Sequence, residues 1–134
     1  ITLKNNVMKK ILIVLLLLVP LFANGQDWFK ANAVRYAANG NEFSEWQKCD
    51  INVFFEGSTK VKIYTKEAHI LRRIKDATED IDEHGISYVF WQGVDEKSED
   101  CIVCIKSDQA SYIHLMITYI KQNLVICYNL IPDK

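Results

Sequence analysis

From Gly85 onward the chain repeats one pattern four times. A short run carries apolar residues at every second position, and a brief polar turn follows. Period two is the strand period. Connections this short cannot carry the crossover that parallel neighbours need, so the four runs must pair antiparallel. In the first, Ile86, Tyr88 and Phe90 alternate with Ser87, Val89 and Trp91. Asp95 to Asp100 makes a charged turn, Cys101 to Lys106 the second run, and Ser107-Asp108-Gln109 the next turn. Ala110 to Ile120 places Ile113, Leu115, Ile117 and Tyr119 on one face. After the turn Lys121-Gln122-Asn123, Leu124 to Ile131 is the last run, and Pro132 stops it.

The upstream half reads less evenly. Gln26 to Asn32 is a loose lead-in, and Ala33 to Ala37 a first strand closed by Asn39-Gly40-Asn41. Trp46 to Glu56 carries Ile51, Val53 and Phe55 on one face. Gly57-Ser58 turns it into Lys60 to Thr65, a hairpin. Residues 66–83 admit two readings. Ile70, Leu71, Ile74, Ala77, Thr78 and Ile81 recur at helical spacing, with Thr65 as a cap and Gly85 as a stop. Alternatively, Val61 to Ile74 is a second hairpin with Lys66-Glu67 at its tip, and Asp76 to His84 is the loop after it. The expected fold is mainly β: an antiparallel meander of six to eight short strands forming a small barrel or curled sheet, with a helix over 66–83 as the variant.

Residues 8–25 read as an export signal. Met8-Lys9-Lys10 is a positive start, Ile11 to Phe22 an apolar run, and Ala23-Asn24-Gly25 a small-residue cleavage site. The apolar run is shorter than the ~20 residues of a spanning helix. Residues 1–7 are then an upstream extension, and 26–134 one small domain of the periplasm or exterior, with no stable membrane insertion after cleavage. Lys4, Lys9 and Lys10 fall before the cleavage point and no acid does, which leaves 13 basic against 17 acidic residues. That balance disfavours nucleic acid as a partner.

Cys49, Cys101, Cys104 and Cys127 all lie in the exported part. An even count in an oxidising compartment reads as structural disulfides. Strand parity puts Cys49 and Cys101 on apolar faces and Cys104 and Cys127 on the more polar ones, so the expected pairs are Cys49–Cys101 and Cys104–Cys127. Cys101-Ile102-Val103-Cys104 has the spacing of a redox motif. It lies in a strand of β-branched residues, where positions three apart point to opposite faces, and not at a helix start.

Asp80-Ile81-Asp82-Glu83-His84-Gly85 begins like a calcium loop. His84 at position five is a poor ligand, however, and Trp91 stands where a bidentate Glu is needed. The segment reads as a solvated acidic turn, with Asp80 and Asp82 as the residues that would meet a cation; Asp95-Glu96 and Glu99-Asp100 are the other place where one could be held weakly. His69, His84 and His114 show no metal spacing. No nucleophile elbow or phosphate loop is present, so no catalytic residue, cofactor or metal site is assigned.

Aromatics remain. Phe54, Trp91, Tyr112, Met116, Ile120 and Val125 fall on faces expected to point outward, and an apolar outward patch can mark a partner site. The expected function is a non-catalytic exported module binding a protein or small ligand through that face or the loops at one end. A barrel carrier of an apolar ligand is the alternative, and a small hydrolase or redox protein the second.

Overall fold

The computed structural model describes residues 26–57, 59–107 and 112–132. The segments read from the sequence as an export signal (8–25) and its upstream extension (1–7) lie outside the described residues. Among those described, every regular element is a strand: β1 (Gln26–Ala38), β2 (Gln47–Glu56), β3 (Lys60–Tyr64), β4 (Ala68–Arg73), β5 (Thr78–Ile81), β6 (Ser87–Val94), β7 (Asp100–Ser107), β8 (Ile113–Tyr119) and β9 (Leu124–Pro132). All pairings are antiparallel, in the order β4-β3-β2-β1-β9-β8-β7-β6-β5. β4 also pairs with β6, through Arg72–Val94 and Arg73–Gly93. That pairing closes eight strands into a barrel, with β5 as the extra strand. Closure removes the free edges that an open sheet of this size would expose.

β4 and β5 share one edge of β6. β4 takes the end near Val94, and β5 pairs Thr78–Phe90 through Ile81–Ser87. The expected helix over 66–83 is therefore not formed. The hairpin alternative is the observed one, with Val61 opposite Leu71 and Ile63 opposite His69. The Thr65 hydroxyl donates to the Glu67 carbonyl at 2.6 Å across the tip. A helix here would leave β3 and β6 with unpaired edges, whereas the strand satisfies both. The segment expected as a loop after it contains β5.

The lead-in at Gln26 to Asn32 is strand as well. β1 pairs with β2 from Gln26 onward, and its register shifts between Ala31 and Ala33. This bulge moves the inward set from Phe29 and Ala31 to Val34. A change of parity in mid-strand breaks the period-two signal, which is why only the second half of β1 reads as a strand in the sequence.

The barrel interior is filled by Phe29, Val53, Phe55, Val61, Trp91 and Leu115 and their neighbours, all 5% exposed or less. Trp91, expected on an outward face, is part of this core. Its strand carries Gly93 two positions on, and that residue's missing side chain leaves room for the ring.

The exterior is not bare. The Arg35 guanidinium lies 4.4 Å from the Phe43 ring and 4.5 Å from the Trp46 ring, so the β1–β2 loop folds back over the outside of the barrel. Trp46 continues to His114 at 5.3 Å, and His114 stacks on Tyr112 at 4.2 Å. A second aromatic group, Trp28 with Phe54 and Tyr64, covers the outside of β1 to β3.

All four cysteines are free thiols, so neither expected disulfide is present. Cys49 on β2 and Cys101 on β7 sit four strand positions apart around eight, on opposite walls. Cys104 and Cys127 do share the outer face, as parity indicated, but Met116 of β8 stands between them, opposite each in register. Two strand spacings are about 9.5 Å, far beyond the reach of a disulfide, whose Cα atoms lie about 6 Å apart.

Candidate binding site at one barrel mouth

The up-and-down order brings the turns at residues 65–67, 95–99 and 120–123 to one end of the barrel, together with the β1–β2 loop. A cavity of about 290 Å³ opens there. Its floor is the upper interior of the barrel, formed by Ile63, Ile117, Leu124, Ile126, Tyr119 and Tyr128. Its rim is polar, with His69, Asp95, Glu96, Lys97, Glu99 and Gln122. Toward the opposite end, a cleft beside Phe55, Val89, Trp91 and Ile105 holds about 40 Å³.

The rim is built around Asp95, 4% exposed. Its Oδ1 accepts hydrogen bonds from the Lys97 and Glu99 amides, both at 2.9 Å. Backbone bonds from Asp95 N to Glu99 O and from Ser98 N to Asp95 O close the same turn. A short acid that accepts from the backbone two residues on is what rigidifies such a turn. Ser98 completes it with a φ of 62°.

Two further carboxylates tie this loop to its neighbours. Glu96 Oε1 lies 2.7 Å from His69 Nδ1, and Oε2 accepts from the Ile70 amide at 3.3 Å, which links the loop to β4 beside the closing seam. Burial raises the Glu96 pKa, but the hydrogen bonds from its own amide, His69 and Ile70 outweigh it and hold the group below its ordinary value. The Gln122 side-chain amide donates to Glu99 Oε2, which links the loop to the β8–β9 turn. Two turns of the mouth and the start of β4 are thus cross-braced, a pre-formed arrangement of the kind ligand pockets show.

On the floor, burial pushes the Tyr128 phenol up to about 12, with Tyr36 and Cys49 adding to it. Tyr119 is raised further, first by burial and then by the charges of Asp95 and Glu96. Both hydroxyls stay protonated at neutral pH and can donate or accept hydrogen bonds. Cys101 stands opposite Tyr119 in register, its thiol pushed up to about 11 by burial and by Asp95, Asp100 and Glu96. A thiol so raised is a poor nucleophile. The chemistry available at the mouth is apolar contact below and charge-assisted hydrogen bonding above.

The residues singled out from the sequence fall elsewhere. Phe54 is outside the barrel, 8% exposed beneath Trp28. Met116 is also outside, three strands from Phe54, and Tyr112 stacks on His114. Trp91 is interior. These four do not converge on one face. Asp80 bonds its own neighbour, the Ile81 amide, at 2.8 Å. Both oxygens of Asp82 are engaged: Oδ1 accepts from the His84 and Ile86 amides, and Oδ2 from the Tyr88 hydroxyl, each at 2.9 Å. Its carboxylate holds the β5–β6 turn. Among the described residues no three His, Cys, Asp or Glu side chains gather to hold a metal ion.

Of the mouth, the sequence offers only the loops at one end and the acidic turn Asp95 to Asp100, although its other signals are present. Tyr119 was in phase with the core residues Ile113, Leu115 and Ile117. The turn Asp95 to Asp100 was visible as a charge cluster, but its meeting with His69 across the closed barrel was not. Comparison with protein-family models, with curated proteins and with solved structures finds no match to this chain.

Proposed function

We propose that this chain is an exported, non-catalytic binding protein that holds one small amphipathic molecule in the mouth of its barrel. The observation that carries this reading is the 290 Å³ cavity with an apolar floor and a cross-braced polar rim. Its size lies at the lower end of small-molecule sites. Export is supported by the positive start, apolar run and small-residue cleavage site at residues 8–25. Action away from the bilayer is supported by the short strands β3 to β8, of 4 to 8 residues, against the 9 to 11 or so of a membrane-spanning strand. It is supported too by the charged pairs on the outer wall, Lys30–Asp50 and Lys62–Glu56.

The test uses a neutral amphiphile, 1-octanol, titrated into labelled protein and followed by NMR. Shifts are expected at Ile63, Ile117 and Ile126, and their loss in Ile117→Trp, which fills the floor. Absence of any mouth shift with this alcohol, and with charged amphiphiles of the same chain length, sinks the reading. A second reading, docking of a protein partner on the outer wall, is favoured by Trp28 and Tyr64, which stack on each other while 43% and 40% exposed.

A further inference from the structure

We infer that the mouth selects small amphiphiles with a cationic head, an alkyl- or arylammonium ion, over neutral and anionic molecules of the same shape; this rests on the binding reading above. The rim carries three carboxylates on one turn, Asp95, Glu96 and Glu99, against one ammonium, Lys97, and the imidazole of His69. The Glu99 carboxylate is held by Gln122, a neutral donor, so its charge is uncompensated by that bond. A carboxylate accepts about four hydrogen bonds, and Glu99 and Glu96 have acceptor capacity beyond the bonds to Gln122, His69 and Ile70.

Two observations beyond the acidic turn point to the same head group. The Tyr128 side chain, 5% exposed, lines the cavity and puts a phenol in its wall. With Tyr119, also in the wall, it supplies phenol oxygens and aromatic rings, chemistry that suits a cation. The negative field also reaches the floor, because the charges of Asp95 and Glu96 are felt at the Tyr119 phenol. An ammonium placed between floor and rim would meet carboxylates on one side and phenol oxygens on the other. A carboxylate head in that place would be desolvated against like charge.

The experiment compares n-octylammonium, 1-octanol and octanoate at neutral pH by calorimetry and NMR. An alkylammonium is fully charged there, as the lysine side chain is. Octylammonium should bind about tenfold more tightly than octanol, the size of one charge-assisted hydrogen bond, and octanoate more weakly than octanol. The gap between ammonium and alcohol should shrink as salt rises from about 20 to about 500 mM, and it should narrow in Glu99→Gln and Glu96→Gln. Octanoate binding as well as or better than octanol overturns the inference and leaves the binding reading standing. So does a gap that neither variant changes. Failure of all three probes to bind removes both.

Discussion

Gly93 lies against the Trp91 ring, and the ring occupies the volume that a side chain at position 93 would need. A Cβ there would stand 2.7 Å from the ring and 2.5 Å from the Arg72 carbonyl oxygen. The second contact is with the backbone of β4 at the seam, where Arg73 pairs with Gly93. Neither neighbour can yield cheaply: the ring is 5% exposed in the core, and the carbonyl belongs to the strand that closes the barrel. Gly93→Ala is expected to cost about 2–3 kcal/mol, the upper range for overpacking. Urea unfolding followed by tryptophan fluorescence reads this directly. A loss under about 0.5 kcal/mol, the level of an indifferent surface change, would mean that the seam can open to admit a methyl group.

Cys101 and Cys127 are 1% and 0% exposed and all four thiols are free. Burial raises every one of them, Cys101 and Cys104 to about 11. The thiolate is the reactive form, so alkylation of the native protein at neutral pH should be slow throughout. The half-buried Cys49 and Cys104 should react before Cys101 and Cys127. Denaturant should release all four at once, and reductant should change neither mass nor stability. A mass loss of hydrogen pairs in the protein isolated without reductant would show that oxidation had drawn two thiols together against this geometry.

Arg35 connects the outer wall to the loop that covers it. It stands opposite Cys127 in register, where its charge partly offsets the burial that raises that thiol, while its guanidinium lies over both the Phe43 and the Trp46 ring. The loop also returns to β1 through Ser44, whose amide donates to the Tyr36 carbonyl at 2.7 Å. Arg35→Ala should cost about 1–2 kcal/mol from the two cation–π contacts and raise the alkylation rate of Cys127. Arg35→Lys should recover only part of both, since an ammonium lacks the flat guanidinium that stacks on rings. If Cys127 stays equally protected in Arg35→Ala, the loop is held by the Trp46–His114 and Ser44 contacts alone.

The antiparallel meander from Gly85 onward was legible because each strand there keeps its parity from end to end. Legibility failed where a local event reset the period. In β1 the bulge after Ala31 moves the inward face, so Phe29 and Ala31 fell out of phase with Val34 and the first half was read as loose chain. In β4 only Leu71 is fully buried, with Ile70 half-buried and Ile74 exposed on the other side. Apolar residues at 70, 71 and, just past the strand, 74, on two faces, imitate helical spacing. Trp91 misled because both faces of β6 are apolar, one inside the barrel and one outside. Gly93, in phase with Trp91, marked the inner face. Cysteine parity was right for all four residues, but it cannot report how many strands separate two residues on one face. The mouth depends on the same closure: His69 and Glu96 are 27 positions apart, and only the pairing of β4 with β6 makes them neighbours.

That closure also sets the alkaline limit of the protein. Tyr88 is held up to about 12 by burial and by its bond to Asp82, Tyr128 to about 12 by burial, and Tyr119 is raised as well. Cys101 and Cys104 stand at about 11. Each group keeps its proton more tightly when folded than when unfolded. Between its ordinary and raised values the native state therefore binds more protons than the unfolded state, and stability falls as pH rises. The ordinary values are 9.0 for the thiols and 10.0 for the phenols. Their contribution is thus complete below about pH 9. Each buried group removes about 1.4 kcal/mol per pH unit once its own window is entered. On the acid side the sign reverses. Glu96 and Asp82 lie below their ordinary 4.5 and 3.8, so they stabilise above those values and cease to do so as pH falls through the depressed ones. Unfolding free energy measured in urea should be flat near neutrality and drop steeply beyond pH 10. Phenolate absorbance from the three raised tyrosines should appear only together with loss of the far-ultraviolet strand signal. Tyr128→Phe should make the decline shallower. A protein that ionises these tyrosines while still folded would place their hydroxyls in water, and with them the floor of the mouth.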